Sequence, residues 1–181
     1  MSEKIWYPTF ADYLKAEYQG PYSATDILIR YPVDGLEGLV LIQRKHKPLG
    51  LASPGGMAEH MELYQNAIKE GKEETGLTVY IDEPHWRPFG IFSKPSNDPR
   101  AFISSNVFTG AGYGVIKPHP EEDAIDARAY RISEVRDLLT QPDKWAFQSH
   151  RRFIELYVNE RYANGDRKWN EPARPILPHS L

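Results

Sequence analysis

The sequence predicts a single α/β domain, because segments of helical and strand character alternate along a chain of 181 residues. A chain of this length can bury one substantial core but hardly two. Proline and glycine are scattered as turn residues, and no repeat or linker divides the chain. We therefore expect an N-terminal helical segment at 1–21, a core at 22–162 and an extended tail at 163–181.

The first half of the chain predicts a short helix, a β-hairpin and a longer helix. ADYLKAEY is helical in character, whereas SATDILIRYPV and GLVLIQRK are rich in strand formers and flank a turn at Asp34-Gly35. After the glycine-containing KPLGLASPGG, the run MELYQNAIKEGKEET consists of good helix formers. It ends at Gly76, a residue suited to a left-handed C-cap.

The second half predicts further strands and two helices. TVYIDE, RPFGIFS and AFISSNVFTG have strand character, and DARAYRISEV predicts a strand that runs into a helix capped by Ser133. The last helix, in WAFQSHRRFIELYVNERY, should pack on the domain through one face. That face carries Phe147, His150, Ile154, Tyr157 and Val158, and His150 is expected to be a structural histidine there.

The composition excludes several classes of function. A formal net charge of −3 provides no basic field for nonspecific nucleic-acid binding. No apolar run approaches the length of a membrane span, and the N-terminus is charged from its third residue, so we expect a cytoplasmic protein that binds neither membrane nor nucleic acid. The absence of cysteine leaves carboxylates and histidines as metal ligands.

Three glutamates of the longer helix are the clearest candidate for chemistry. Glu70, Glu73 and Glu74 lie within one turn of each other, so their carboxylates converge. Such a cluster can be an ordinary solvated helix face. Here it follows Pro54-Gly55-Gly56, a backbone that can turn sharply and aim a carbonyl oxygen. Hard oxygen ligands of this kind suit Mg²⁺ or Mn²⁺, completed by substrate phosphates.

The same residues resemble the sequence box of the Nudix hydrolase family. Its first half is matched by Gly56, five intervening residues and Glu62. Its second half is matched by Lys69, Glu70, Glu73, Glu74, Gly76 and Leu77. The resemblance implies a Nudix-type α/β/α sandwich with a mixed central β-sheet, and an enzyme that hydrolyses a pyrophosphate bond in a nucleoside diphosphate derivative.

The match has three departures from the family pattern. Six residues, not seven, separate Glu62 from the basic position. Lys69 stands where the family has arginine, which keeps the charge but loses the planar fork. Gly71 replaces an aliphatic residue that packs the helix on the sheet, at a cost of about 1 kcal/mol in helix propensity relative to alanine.

Carried over by position, the resemblance implies a metal site and its catalytic residues. Glu70, Glu73 and Glu74 would bind Mg²⁺ (or Mn²⁺), with the Gly55 carbonyl as a further ligand. Glu62 would brace the preceding loop, and Glu59 would face solvent. Water would attack phosphorus while the metal neutralises phosphate charge and lowers the pKa of its bound water.

Segments outside the box resemble the ADP-ribose pyrophosphatase group of that family. They are RKHKPLGLASPGG, SNDPRAFISSNVF, EEDAIDARAYRISEV and WAFQSHRRFI. This likeness implies ADP-ribose as the substrate, AMP and ribose 5-phosphate as products, and a homodimer. It also implies that Glu122, in the acidic loop HPEEDA, supplies a further carboxylate as base or metal ligand.

Two arginines are the predicted contacts to the diphosphate. Arg44 and Arg100 can each present two parallel donors to phosphate oxygens. Each could instead be a surface residue or, for Arg100, the partner of Asp98. Strand aromatics are a further open choice, since they could stack on adenine or belong to the core: Phe92, Phe102 and Tyr113.

Two alternative functions remain open at the level of sequence. One is a nucleoside triphosphate pyrophosphohydrolase that removes damaged nucleotides; the match at Asp98-Pro99-Arg100 argues against it. The other is a noncatalytic module that senses ADP-ribose or another nucleotide, which the altered box would allow.

Overall fold

A computed structural model describes residues 8–17, 20–82, 87–119, 121 and 123–171. The helices are α1 (Phe10–Glu17), α2 (Leu63–Thr75), α3 (Ile132–Leu139) and α4 (Gln148–Arg161), with a 3₁₀ turn at Pro142–Lys144 before α4. The strands are β1 (Tyr22–Val33), β2 (Leu36–Arg44), β3 (Leu51–Ala52), β4 (Gly55–Met57), β5 (Thr78–Ile81), β6 (Gly90–Phe92), β7 (Ile103–Tyr113) and β8 (Ala124–Arg131). None of the helices in these ranges is long and apolar enough to cross a membrane.

All strands of the described ranges join one mixed sheet, as predicted. Its main path is β3-β2-β1-β7-β5, with β4 paired to β1, β6 to β7 and β8 to β2. The central pair β1 and β7 is parallel, whereas the other pairs are antiparallel. Helices cover both faces, because alternate residues of β1 belong to two different cores. Ile27 and Ile29 pack with Ala67 of α2, and Leu28 packs with Ile154 of α4.

The local turn signals of the sequence are confirmed. Asp34 and Gly35 take positive φ angles of 50° and 77° between β1 and β2, the conformation that a tight hairpin turn requires. Gly76 ends α2 at φ 74°, and its amide donates to the Lys72 carbonyl at 2.7 Å. The short strands β3 and β4 were not predicted, because each has only two or three residues and is set by its pairing with β2 or β1.

Two helix starts differ from the prediction. Ser133 does not cap α3: the helix begins at Ile132, and the Glu134 side chain accepts a hydrogen bond from the Arg131 amide at 2.8 Å. The last helix begins at Gln148, not at Trp145. Residues before it run beside β3 instead, and the Ala146 amide donates to the Leu51 carbonyl at 3.0 Å.

The predicted face of α4 is confirmed. Phe147, His150, Ile154, Tyr157 and Val158 are all buried. Of the predicted extended tail, residues 163–171 are described, and Lys168 forms a single β-bridge with Leu36. The remainder of the tail lies outside the described residues.

Gly71 is a point of close contact between α2 and the sheet. A Cβ atom at this position would lie 3.2 Å from side-chain carbons of Ile27 and Ile29 and 3.3 Å from one of Val79. Side chains from the sheet therefore fill the space that the aliphatic residue of the family pattern would occupy. The helix lies correspondingly close to β1, which brings its glutamates near β4.

We predict that Gly71→Leu destabilises the protein by about 1–3 kcal/mol through overpacking, although leucine has the higher helix propensity. Urea unfolding measures the change. Lys72→Leu, at an exposed position of the same helix, is the matched control and should change the free energy of unfolding by about 0.5 kcal/mol or less. A Gly71→Leu protein as stable as wild type would contradict this explanation of the glycine.

Candidate active site

The Gly55-Gly56 backbone lies between β1 and the glutamates of α2. In β4, Gly55 pairs with Asp26 and Gly56 with Thr25. A Cβ atom on Gly55 would come within 2.6 Å of an Asp26 carboxylate oxygen, and one on Gly56 within 2.6 Å of the Glu70 carboxyl carbon. Gly55 requires glycine because a Cβ would also collide with the Thr25 carbonyl oxygen, whereas a Cβ on Gly56 would displace the Glu70 carboxylate. The backbone can approach a carboxylate on each side because no side chain intervenes.

Glu74 is the buried carboxylate of the cluster. Only 2% of its surface is exposed, and its Oε2 accepts the Gly55 amide hydrogen at 2.9 Å. Burial raises its pKa to about 8; the Gly55 hydrogen bond opposes this rise, and the negative charge of Glu70 adds to it. The contact from Gly55 to this glutamate is thus made by the amide. The metal-binding role predicted for the Gly55 carbonyl remains a prediction.

Lys69 holds the more exposed carboxylates together. Its Nζ lies 2.9 Å from oxygens of both Glu59 and Glu73, and 3.6 Å from Glu70. Hydrogen bonds to Glu59 and Glu73 raise the lysine pKa. The pKa of Glu70 is also raised, chiefly by burial, while Lys69 opposes that rise. The Lys69 ammonium group thus contacts three carboxylates, although it lacks the planar fork of an arginine.

Two other glutamates of this region have defined positions. Glu59 faces solvent as predicted, with its side chain half exposed, and it also forms an ion pair with Lys69. Glu62 was expected to brace the loop, and it takes the N-cap position of α2, where its amide donates to the Gln65 side chain at 3.3 Å.

The donor set at Glu70 and Glu74 fits a hard divalent cation. Both carboxylates lie against Gly55-Gly56, and both have raised pKa values in the absence of a cation. A bound Mg²⁺ or Mn²⁺ would offset the burial and repulsion that raise them. In the described residues no three carboxylates or histidines are grouped closely enough to hold a metal as they stand. The predicted site at Glu70, Glu73 and Glu74 therefore remains a prediction.

A pocket opens on the Gly55-Gly56 backbone and receives both predicted phosphate contacts. Its wall includes Arg44 from β2 and Arg100 from the loop before β7. The other side chains that line it and matter for the chemistry are Asp26, Asp98, Ser105, Asp123, Phe147 and His150. The structure thus brings together arginines that are 56 residues apart in the chain, beside the glycines that contact the glutamates.

Arg44 is a buried cation with spare donors. It is 6% exposed, its Nε donates to the Pro48 carbonyl at 3.0 Å, and one terminal nitrogen lies 3.7 Å from Asp123. Within the described residues its side chain makes no other hydrogen bond. A guanidinium carries five N–H donors, so most of them are available to an anion that enters the pocket.

Arg100 combines the two roles that the sequence left open. Its side chain binds the Asp98 carboxylate at 2.8–3.3 Å, and its amide donates to the same carboxylate at 2.8 Å. Although burial alone would raise the pKa of Asp98, the hydrogen bonds from Arg100 hold it below its ordinary value. This local pair fixes the arginine, and the guanidinium still forms part of the pocket wall.

Asp26 is a site residue that sequence reasoning missed. It lies on β1 against Gly55, and its carboxylate accepts a hydrogen bond from Ser105 of the parallel neighbour β7. His150 is 3.3 Å away through Nε2, and its Nδ1 accepts the Ser53 amide hydrogen, so Nε2 carries the proton. Burial raises the pKa of Asp26, and His150 opposes the rise. The sequence offered one sign of this role: Asp26 is an acidic residue directly before the apolar residues Ile27, Leu28 and Ile29.

The remaining sequence candidates fall in different places. Phe92 lines the pocket but packs on Phe153, with ring centroids 5.4 Å apart, and Tyr113 packs against Tyr80 at 5.2 Å. Phe102 is not part of the pocket wall. Glu122 lies outside the described residues, so its role as base or metal ligand remains a prediction.

Comparison with known proteins decides the family. Residues 23–157 match the model of the NUDIX domain. The chain belongs to the NUDIX domain family. It is also 37% identical over 141 residues to an ADP-ribose pyrophosphatase of Methanocaldococcus jannaschii, a match that covers 74% of each chain. The resemblance predicted from the sequence is confirmed.

Solved Nudix structures share the fold. A NUDIX hydrolase from Nitrosomonas europaea superposes with a TM-score of 0.64 at 18% identity, over 85% of this chain and 78% of that one. The NUDIX domain of Shewanella oneidensis NrtR, complexed with ADP ribose, gives 0.63 at 19% identity, over 84% and 98%. A bifunctional NMN adenylyltransferase/ADP ribose pyrophosphatase from Francisella tularensis, complexed with AMP and a Mn ion, gives 0.62 at 22%, over 82% and 44%. The predicted Nudix-type sandwich is confirmed.

We predict that the metal-free Nudix domain loses stability as pH rises from about 4.5 to about 8. The pKa of Glu74 is raised on folding, from 4.5 to about 8, so folding favours the protonated carboxyl. This contribution is complete below the unfolded pKa and is lost as pH rises through the folded one. Glu74→Gln should therefore stabilise the protein at pH 8 relative to wild type, and do so less at pH 5.

Urea unfolding in the presence of a chelator, at both pH values, measures this difference. Glu73→Gln removes a more exposed carboxylate of the same helix and serves as the control. An effect of Glu74→Gln that is equal at pH 5 and pH 8 would show that burial of this carboxyl is not linked to its protonation.

Proposed function

We propose that this Nudix hydrolase cleaves the diphosphate bond of ADP-ribose and releases AMP and ribose 5-phosphate. The observation that carries the proposal is the pocket wall. Arg44 and Arg100 face the same space, and that space borders the glycines against which Glu70 and Glu74 lie. A diphosphate placed there would meet guanidinium donors on one side and the metal-binding carboxylates on the other.

The relatives support the choice of substrate. The relative from Methanocaldococcus jannaschii is an ADP-ribose pyrophosphatase, and its identity of 37% extends over most of this chain. ADP-ribose and AMP are the ligands named for two of the structures that share the fold. The partner of this chain is accordingly a small-molecule nucleotide.

The proposed cofactor is Mg²⁺ (or Mn²⁺), held by Glu70, Glu73 and Glu74 with the Gly55 carbonyl. When bound, the cation would neutralise charge on the phosphates and lower the pKa of the attacking water. Lys69 keeps Glu73 and Glu70 oriented, and the Gly55 amide fixes Glu74. A Mn ion accompanies AMP in the structure from Francisella tularensis.

The chain's own residues would orient the phosphates and move the proton. Water attacks one phosphorus, the bond from that phosphorus to the bridging oxygen breaks, and the bridging oxygen leaves on the other phosphate. Arg44 and Arg100 would bind the nonbridging oxygens and stabilise the charge that gathers on them. Glu122 is the proposed base for the water proton. Cytoplasmic location and homodimer formation remain predictions from the sequence.

A substrate panel tests the proposal. With Mg²⁺, wild type should hydrolyse ADP-ribose faster than NADH, dinucleoside polyphosphates or nucleoside triphosphates, with AMP as a product. Glu74→Gln should lower kcat at least a hundredfold, since a metal ligand is lost. Lys72→Gln, a charge-removing change at an exposed position of the same helix, should leave kcat within about twofold.

Three other results would redirect the proposal. Preference for a triphosphate would favour the nucleotide-pool hydrolase. Binding of ADP-ribose without turnover would favour the noncatalytic sensor. Full activity in Glu74→Gln would remove this residue from the metal site, whatever the substrate.

A further inference from the structure

Phe147 contacts both arginines of the pocket through one aromatic ring. The Cζ atom of Arg44 lies 5.1 Å from the ring centroid, and that of Arg100 lies 5.2 Å from it. Both distances are within the range of a cation–π interaction. The ring is 4% exposed and forms part of the pocket wall between them. No other ring in the described residues contacts two cations in this way.

Three contacts hold the ring in position. The amide of the preceding residue, Ala146, donates to the Leu51 carbonyl of β3 at 3.0 Å. The ring packs against His150 with centroids 4.7 Å apart, and it belongs to a small core cluster with Ile42 and Ala127. Because those neighbours come from β2, β8 and α4, the ring position is set by the assembled domain and not by the loop that carries it.

Arg44 is the less firmly held of the two cations. Its side chain makes one hydrogen bond among the described residues, and its ion pair with Asp123 spans 3.7 Å. Arg100 is held by Asp98, a neighbour in the same loop. Two like charges that face one cavity repel each other. Loss of the Phe147 ring, which both arginines contact, would therefore let them turn away from the cavity.

We propose that Phe147 is a positioning residue, which holds the Arg44 and Arg100 guanidinium groups against one ring on the wall of the pocket, where a diphosphate can reach both. This inference rests on the proposed function, since it assigns the arginine pair to a diphosphate. The negative face of the ring attracts both cations but offers them no hydrogen-bond acceptor, so their N–H donors stay available. A carboxylate in the same place would bind the guanidinium groups itself and compete with phosphate.

Binding of inorganic pyrophosphate, measured by calorimetry without divalent metal, tests the inference independently of turnover. Phe147→Leu keeps apolar volume but removes the ring face, and it should weaken pyrophosphate binding roughly tenfold. Phe147→Tyr keeps the ring and should bind within about twofold of wild type. Phe153→Leu makes the same change to a buried ring of α4 that contacts neither arginine; it should lower Tm without changing Kd.

A double-mutant cycle separates positioning from general loosening of the fold. In an Arg44→Lys, Arg100→Lys background, Phe147→Leu should have little further effect on Kd, because the groups it positions are gone. With ADP-ribose and Mg²⁺, Phe147→Leu should lower kcat/KM roughly tenfold, because the arginines that it positions both bind the phosphates and stabilise the charge that gathers on them. The inference is overturned if wild type binds no pyrophosphate, if Phe147→Leu binds it normally, or if the effect persists in the lysine background. Pyrophosphate binding without ADP-ribose hydrolysis would instead refute the proposed function alone.

Discussion

The close approach of the Gly55-Gly56 backbone to α2 and β1 is the constraint on which the candidate site depends. One side of this backbone contacts Glu70 and Glu74, and the other pairs with β1 at Thr25 and Asp26. A Cβ atom on Gly55 would collide with the β1 backbone, and one on Gly56 would displace the Glu70 carboxylate. The segment therefore lies against the carboxylates for which we propose metal binding, and it also forms part of the wall of the arginine-lined pocket. A diphosphate is small enough to contact both.

Charge in this region is balanced locally, before any ligand enters. Lys69 is shared by three carboxylates, Arg100 is paired with Asp98, and Arg44 lies near Asp123. Glu74 has no cation within ion-pair distance among the described residues, and burial raises its pKa to about 8. A divalent cation bound at that carboxyl would therefore change its protonation state, since a cation favours the ionised form that burial opposes.

The sequence predicted those parts of the fold that depend on neighbouring residues. The hairpin turn at Asp34-Gly35 and the C-cap at Gly76 are determined within a few residues, and both are confirmed. Asp26 and the ring contacts of Phe147 could not be predicted in the same way. Asp26 becomes a site residue only because β1 pairs with β4 and, in parallel, with β7. Ser133 was a wrong cap because α3 begins one residue earlier, at Ile132. At that helix start the Glu134 side chain accepts a hydrogen bond from the Arg131 amide.

The same distinction between local and distant contacts explains how a shortened box can keep its glutamates in place. The six-residue spacing falls between Glu62 and Lys69, and α2 begins directly after Glu62, which takes the cap position. The missing residue therefore alters the helix start and the role of Glu62. The glutamates at 70 and 74 are placed by contacts further along: Gly71 against Ile27 and Ile29, the Gly55 amide on Glu74, and the C-cap at Gly76. The shortened segment contributes to the same packing, because Ala67 packs with Ile27 and Ile29 and the Asn66 side chain donates to Thr25 and to the Met57 carbonyl. Gly71 compensates for its low helix propensity by allowing the close packing.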